Sequence, residues 1–170
     1  FTDDEDDKEE SDDEDNNPAD DRIQLDCPVE EIYGFTPITI EASTVGKSDD
    51  YHVDCSSGDD SGDADLAYRW IAQEEGLYTF STAGSDFDTV LGIYEENCDL
   101  QELQCNDDSD GSQSELRRNL QAGQAILIIV DGYEQGDRGN VKLKIDKAEE
   151  RCEDGLDDDE DGLFDCDDPD

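Results

Sequence analysis

The chain has 170 residues, with 53 acids against 11 bases and a formal net charge of −42 at neutral pH. That balance excludes nucleic acid as a partner, because phosphate binding needs a basic surface. It also penalises compact folding unless cations bind, since close carboxylates repel within the screening length of about 10 Å at 0.1 M salt. The length gives one domain with a modest core. The longest apolar run, Ala125 to Val130, is strand-sized, far short of the ~20 residues of a membrane-spanning helix.

In chain order, residues 1–26 form an acidic, extended segment with 14 Asp or Glu and two bases, Lys8 and Arg22. It has almost nothing apolar to bury. Arg22–Leu25 reads either as a first strand of the same sandwich or as a strand added to a neighbour's sheet edge. Phe1 in place of an initiator methionine is what a processed secreted protein or a fragment would show.

Residues 27–148 carry a β pattern throughout. Strands are predicted at Thr36–Ala42, Leu66–Ala72, Leu77–Ser81, Thr89–Tyr94 and Leu116–Leu120. Ala125–Val130 is apolar on both faces, which predicts a central strand. Val141, Leu143 and Ile145 alternate with Lys142 and Lys144, which predicts a strand with one wet face. Gly- and Asp-rich turns separate these segments, and no convincing helix of ten residues occurs. The expected fold class is all-β: a jelly-roll-type antiparallel β-sandwich.

Residues 149–170 are expected to form a short calcium-binding tail. From Asp157 to Asp168, oxygen side chains fall at relative positions 1, 3, 5, 9 and 12: Asp157, Asp159, Asp161, Asp165 and Asp168. Gly162 sits at position 6, where a calcium loop turns sharply, and Leu163 at position 7 offers its backbone carbonyl. Asp168 replaces the usual Glu and reaches less easily for two-oxygen coordination, so a structural site is expected rather than a sensor.

Six cysteines, Cys27, Cys55, Cys98, Cys105, Cys152 and Cys166, without a CxxC pair indicate disulfides and an oxidising compartment. Proximity favours Cys98–Cys105 and Cys152–Cys166, leaving Cys27–Cys55, although sequence alone does not select among the pairings. With His52 as the sole histidine and no ligand pairs at zinc spacing, zinc is not expected.

Asp86 and Asp88 in one loop, with Asn106, Asp107 and Asp108 in another, are candidates for a second calcium site. The alternative is that they cap turns by bonding backbone amides. Asp63 and Asp65 are weaker candidates. No nucleophile motif surrounds His52, Cys55 or Ser56, and among so many acids no carboxylate pair stands out, so catalysis is not expected. Core packing is the expected role of Tyr68, Trp70, Tyr78, Phe80, Phe87 and Tyr94. Tyr33, Phe35, Tyr51 and Tyr133 lie nearer turns and are expected to be more exposed. Arg117, Arg118, Arg138, Lys142, Lys144 and Lys147 cluster late in the core, offering head-to-tail complementarity with acidic ends of a second subunit.

The motifs G-L-Y-T-F-S-T-A-G-S-D-F-D-T-V-L-G-I-Y (76–94), N-C-D-L-Q-E-L-Q-C-N-D-D-S (97–109), L-Q-A-G-Q (120–124), I-I-V-D-G-Y (128–133) and G-N-V-K-L-K-I (139–145) occur in one order. Together they resemble the bacterial pre-peptidase C-terminal domain family over about residues 55–146. The resemblance implies a secreted β-sandwich, commonly calcium-binding, in some members binding polysaccharide or collagen. The tail C-E-D-G-L-D-D-D-E-D-G-L-F-D-C-D-D-P-D (152–170) resembles thrombospondin type-3 and bacterial EF-hand-like calcium repeats. In the bacterial form a further Cys often follows D-P-D, which is compatible with a longer native polypeptide.

The expected function is that of a non-catalytic, secreted, calcium-stabilised structural protein: a subunit of an extracellular filament, surface layer or matrix. The alternative is an accessory module of a secreted hydrolase that binds glycan or collagen. Self-association or other extracellular proteins are the expected partners, with polysaccharide as a further candidate.

Overall fold

The computed structural model describes residues 29–56, 64–96, 101–109 and 111–148. Nine strands, β1 (Glu30–Glu31), β2 (Ile38–Ser43), β3 (Leu66–Ile71), β4 (Gly76–Ser81), β5 (Thr89–Glu95), β6 (Glu102–Asn106), β7 (Glu115–Leu120), β8 (Ala125–Gly132) and β9 (Asn140–Lys147), form two facing sheets. The first has the order β1-β3-β8-β5-β6 and the second β2-β9-β4-β7. All pairings are antiparallel except β1 with β3. The chain passes back and forth between the sheets, giving a jelly-roll-type β-sandwich without a described helix. No described helix is long and apolar enough to cross a membrane.

The two patterns read from sequence have distinct physical causes. On β9, Val141, Leu143 and Ile145 point into the sandwich, while Lys142 and Lys144 lie on the opposite face. On β8, Ile126, Ile128 and Val130 face the same core, but Leu127 and Ile129 are also fully buried. Their cover is the segment between β2 and β3, which lays Tyr51 and Val53 over the outer face of the first sheet beside Ala67, Val90 and Tyr94. The central strands β8 and β5 are therefore buried on both faces. Within the sandwich, Trp70 meets Tyr78 and Phe80 edge-on at centroid separations of 5.0 and 5.9 Å, each contact adding about 0.5–1.5 kcal/mol beyond its buried area.

This covering strap is fastened at several points. Asp50 and Tyr51 donate their backbone N–H groups to Asp65 Oδ2, each at 2.7 Å. Tyr94 Oη lies 2.8 Å from the His52 carbonyl and 2.9 Å from the Glu102 carboxylate, which also accepts the Asp54 N–H at 3.0 Å. A disulfide joins Cys55 to Cys105 on β6. Gly92 makes the close fit feasible: a Cβ there would stand 2.6 Å from the Tyr94 ring and 3.1 Å from Val53.

The Cys55–Cys105 bridge corrects the pairing expected from proximity. Neither Cys98–Cys105 nor Cys27–Cys55 can form when Cys55 and Cys105 are joined. Sequence distance misled because the fold brings Cys55 of the strap to Cys105 on β6 across a separation of 50 residues. Cys27, Cys98, Cys152 and Cys166 lie outside the described residues, as do the 1–26 segment and the 149–170 tail. Two strands were also missed, β1 and β6. β6 (E-L-Q-C-N) is half-buried at every position, so it has no alternation to read.

Candidate metal centre

β5 and β6 run antiparallel with Leu91 opposite Asn106. Asp88, just before β5, and Asp107 and Asp108, just after β6, must therefore meet at one end of the first sheet. One carboxylate oxygen from each of the three lies within 4.8 Å of the others. The backbone carrying them is firmly held. Ser114 Oγ lies 2.5 Å from the Thr89 carbonyl and 2.6 Å from that of Asp107. Tyr133 N–H donates to the Asp88 carbonyl at 3.2 Å, and Ser109 N–H to the Gln113 carbonyl at 2.8 Å.

Although the backbone is satisfied, the carboxylates are not. Asp88 Oδ1 and Asp107 Oδ1 are buried and have no hydrogen-bond partner. Burial raises the Asp88 pKa above the ordinary carboxylate value, helped by the negative charges of Asp108, Asp137 and Glu134. Burial likewise raises that of Asp107, with Asp108 and Asp88 adding to it. Desolvated, mutually repelling oxygens without donors are costly unless a cation neutralises them.

The donor set suits a hard cation. Calcium takes oxygen ligands at about 2.3–2.6 Å, so its coordination shell is roughly 5 Å across, and the three oxygens fit within that span. Three protein carboxylates would leave further positions to backbone carbonyls or water.

Of the five residues expected at this corner, Asp88, Asp107 and Asp108 come together, whereas Asp86 and Asn106 act as turn caps. Asp86 Oδ1 accepts the Asn140 N–H at 2.6 Å and Oδ2 the Asn140 side-chain amide at 2.7 Å. Asn106 Oδ1 accepts the Glu115 N–H at 3.0 Å. Asp65 is likewise a backbone acceptor in the strap. Sequence reasoning missed Glu134 and Asp137, whose charges reach Asp88. They sit in an ordinary-looking β8–β9 turn, and only the backbone closeness at Gly132, where a Cβ would strike the Asp137 carbonyl, shows that turn folding back. The loop Asp157, Asp159, Asp161, Leu163, Asp165 and Asp168 lies outside the described residues.

Among the aromatics, Tyr68, Trp70, Tyr78, Phe80 and Tyr94 are buried as expected and Phe87 is half-buried. Tyr33 and Phe35 are exposed, but Tyr51 is buried in the strap and Tyr133 is half-buried, against expectation. Cys55 is consumed by its disulfide. Several of the late basic residues are already engaged, Arg117 with Glu115, Lys142 with Glu41 and Lys147 with Glu74.

These features define a disulfide-tied all-β sandwich with an acidic corner. No family model matches the chain, and no curated protein matches it in sequence. Among solved structures it is similar to the pre-peptidase C-terminal domain of collagenase from Bacillus anthracis. That similarity is at 17% identity and a TM-score of 0.48, over 70% of this chain and 97% of the other. It is also similar to PliG of Aeromonas hydrophila, a periplasmic lysozyme inhibitor of g-type lysozyme. Here identity is 11% and the TM-score 0.39, over 69% of this chain and 95% of the other.

Proposed function

We propose that the chain is a non-catalytic extracellular module whose sandwich is stabilised by calcium at Asp88, Asp107 and Asp108. The observation that carries this reading is the pair of buried, partnerless carboxylate oxygens at that corner. The Cys55–Cys105 bridge supports an oxidising compartment. The larger role is that of a structural subunit of a filament, surface layer or matrix, supported by the excess of acids, which cations can cross-link. An accessory module of a secreted hydrolase is the second reading, supported by the ordered pre-peptidase motifs of residues 76–145.

Calcium titration followed by thermal unfolding tests the site. With a dissociation constant of about 0.1–1 mM, 10 mM calcium adds roughly 1.4–2.7 kcal/mol. That corresponds to a rise in Tm of about 5 °C or more for a sandwich of this size. The variant carrying Asp88→Asn and Asp107→Asn should lose most of that rise. Because the Asp157–Asp168 loop is a second expected site, the decisive quantity is the difference between variant and parent. Equal calcium-dependent shifts in the two proteins would remove the corner from consideration.

A further inference from the structure

Tyr33 and Phe35 are 83% and 73% exposed, while every other Phe, Tyr or Trp side chain among the described residues is buried or half-buried. They flank Gly34, whose φ of +128° lies in a region that L side chains rarely adopt. Beside them a groove of about 200 Å³ is lined by Ile32, Ile71, Gln73 and Glu31. This groove adjoins β1, the last strand of the first sheet, which has no strand on its outer side among the described residues. The backbone is registered there by the parallel ladder to β3 and by Ile32 N–H donating to the Arg69 carbonyl at 2.9 Å.

An open sheet edge recognises polypeptide backbone, and an adjoining apolar groove selects alternate side chains of an added strand. The local charge is net negative: Glu31, the charged residue of the groove, shares Arg69 with Glu96, and Glu30 pairs with Lys47 at 3.4 Å, so three acids face two bases. The surrounding chain is strongly acidic and steers cationic ligands toward it.

We infer that the β1 edge with Tyr33 and Phe35 is a docking site for an extended segment of another protein in which aliphatic and basic residues alternate. Aliphatic side chains enter the groove beside the rings, and the basic ones, on the other face of the added strand, lie on the side of Glu30. The inference does not depend on the calcium corner, which lies at a different set of strands. The motifs of residues 76–145 do not include this edge either.

The test uses the full chain and three acetylated, amidated hexapeptides alternating Lys with Val, Lys with Ser, or Glu with Val. The Lys/Val peptide should bind saturably and at least tenfold more tightly than the other two. Tyr33→Ala with Phe35→Ala should weaken it at least tenfold while leaving the Tm unchanged, since both rings are exposed. Amide exchange at Glu31 and Tyr33, which alternate with the inward-bonded Ile32, should slow when the peptide is bound. Equal affinity for Lys/Ser would mean unspecific attraction to the acids and would overturn the inference, as would binding that the double variant leaves intact. Chitohexaose binding that the double variant abolishes would reassign the rings to a glycan. A concentration-dependent dimer lost in the double variant would reassign them to a second copy. Slow exchange at Glu31 and Tyr33 in the free chain would show the outer edge already covered by the chain itself.

Discussion

Asp65 shows how one buried carboxylate makes stability depend on pH. It accepts two backbone N–H bonds, which favour the charged form, yet burial and the neighbouring Asp50 and Asp49 outweigh them and lift its pKa to about 6 from 3.8. Tyr51, which also lies beside it, stays neutral throughout this range, its own pKa raised by burial, by Asp65 and by Asp50. The folded state therefore holds the Asp65 proton more tightly than the unfolded chain. Stability from this group is gained as pH falls from about 6 toward 4 and is absent at neutral pH. Asp88 and Asp107 are shifted in the same direction when no cation is bound. With a chelator present, Tm should rise on acidification from pH 7 to 4.5, and Asp65→Asn should flatten part of that slope. Identical slopes for parent and variant would show that Asp65 titrates normally. None of this was legible in the sequence. Asp65 reads there, with Asp63, as a weaker candidate for a cation site, and only the backbone of Asp50 and Tyr51, fourteen and more residues earlier, gives it its role.

Among the elements, legibility followed the number of faces each strand buries. β9 alternates because one face is wet, and β8 is continuously apolar because the strap covers its second face. Both patterns were visible. β1 and β6 were not, because a sheet edge imposes little on composition: β1 is Glu-Glu and β6 is half-buried throughout. The acidic corner was half legible for a similar reason. Asp86, Asp88, Asn106, Asp107 and Asp108 look alike in sequence, but the β5–β6 register gathers three of them and the turn geometry of Asn140 and Glu115 claims the other two. The strap itself depends on its bridge. A link spanning 50 residues contributes about 4 kcal/mol in the chain-entropy description of the unfolded state. Replacing Cys55 and Cys105 by Ser should lower stability by about 2–5 kcal/mol, with fast amide exchange appearing first in residues 51–55. A variant of unchanged Tm would mean the hydrogen bonds of Tyr94, Glu102 and Asp65 suffice.

For the whole molecule, charge sets the dominant condition. About half of the acids lie in residues 1–26 and 149–170, flanking a sandwich whose last strands carry most of the described bases. Without divalent cations, self-repulsion should ease as salt shortens the screening length from about 10 Å at 0.1 M to about 3 Å at 1 M, and Tm should rise with it. Saturating calcium should shrink that salt response. If the chain builds filaments or layers held by cations, chelation should disperse native assemblies seen by electron microscopy, and calcium should restore them. Assemblies that persist with unchanged dimensions and Tm after chelation would favour the accessory-module reading instead.

The Cys55–Cys105 link also has a mechanical meaning. When the sandwich is pulled from its two ends, tension entering at residue 55 passes through the bridge to residue 105 and bypasses β3, β4 and β5. Those strands form a closed ring that cannot be drawn out while the sulfurs remain joined. The extensible length is then shorter by the 50-residue separation, or roughly 170 Å at about 3.4 Å per residue. Single-molecule stretching should show that increment appearing only after a reductant is added. In a load-bearing assembly, such a ring would limit how far each unit lengthens before the load passes to the next.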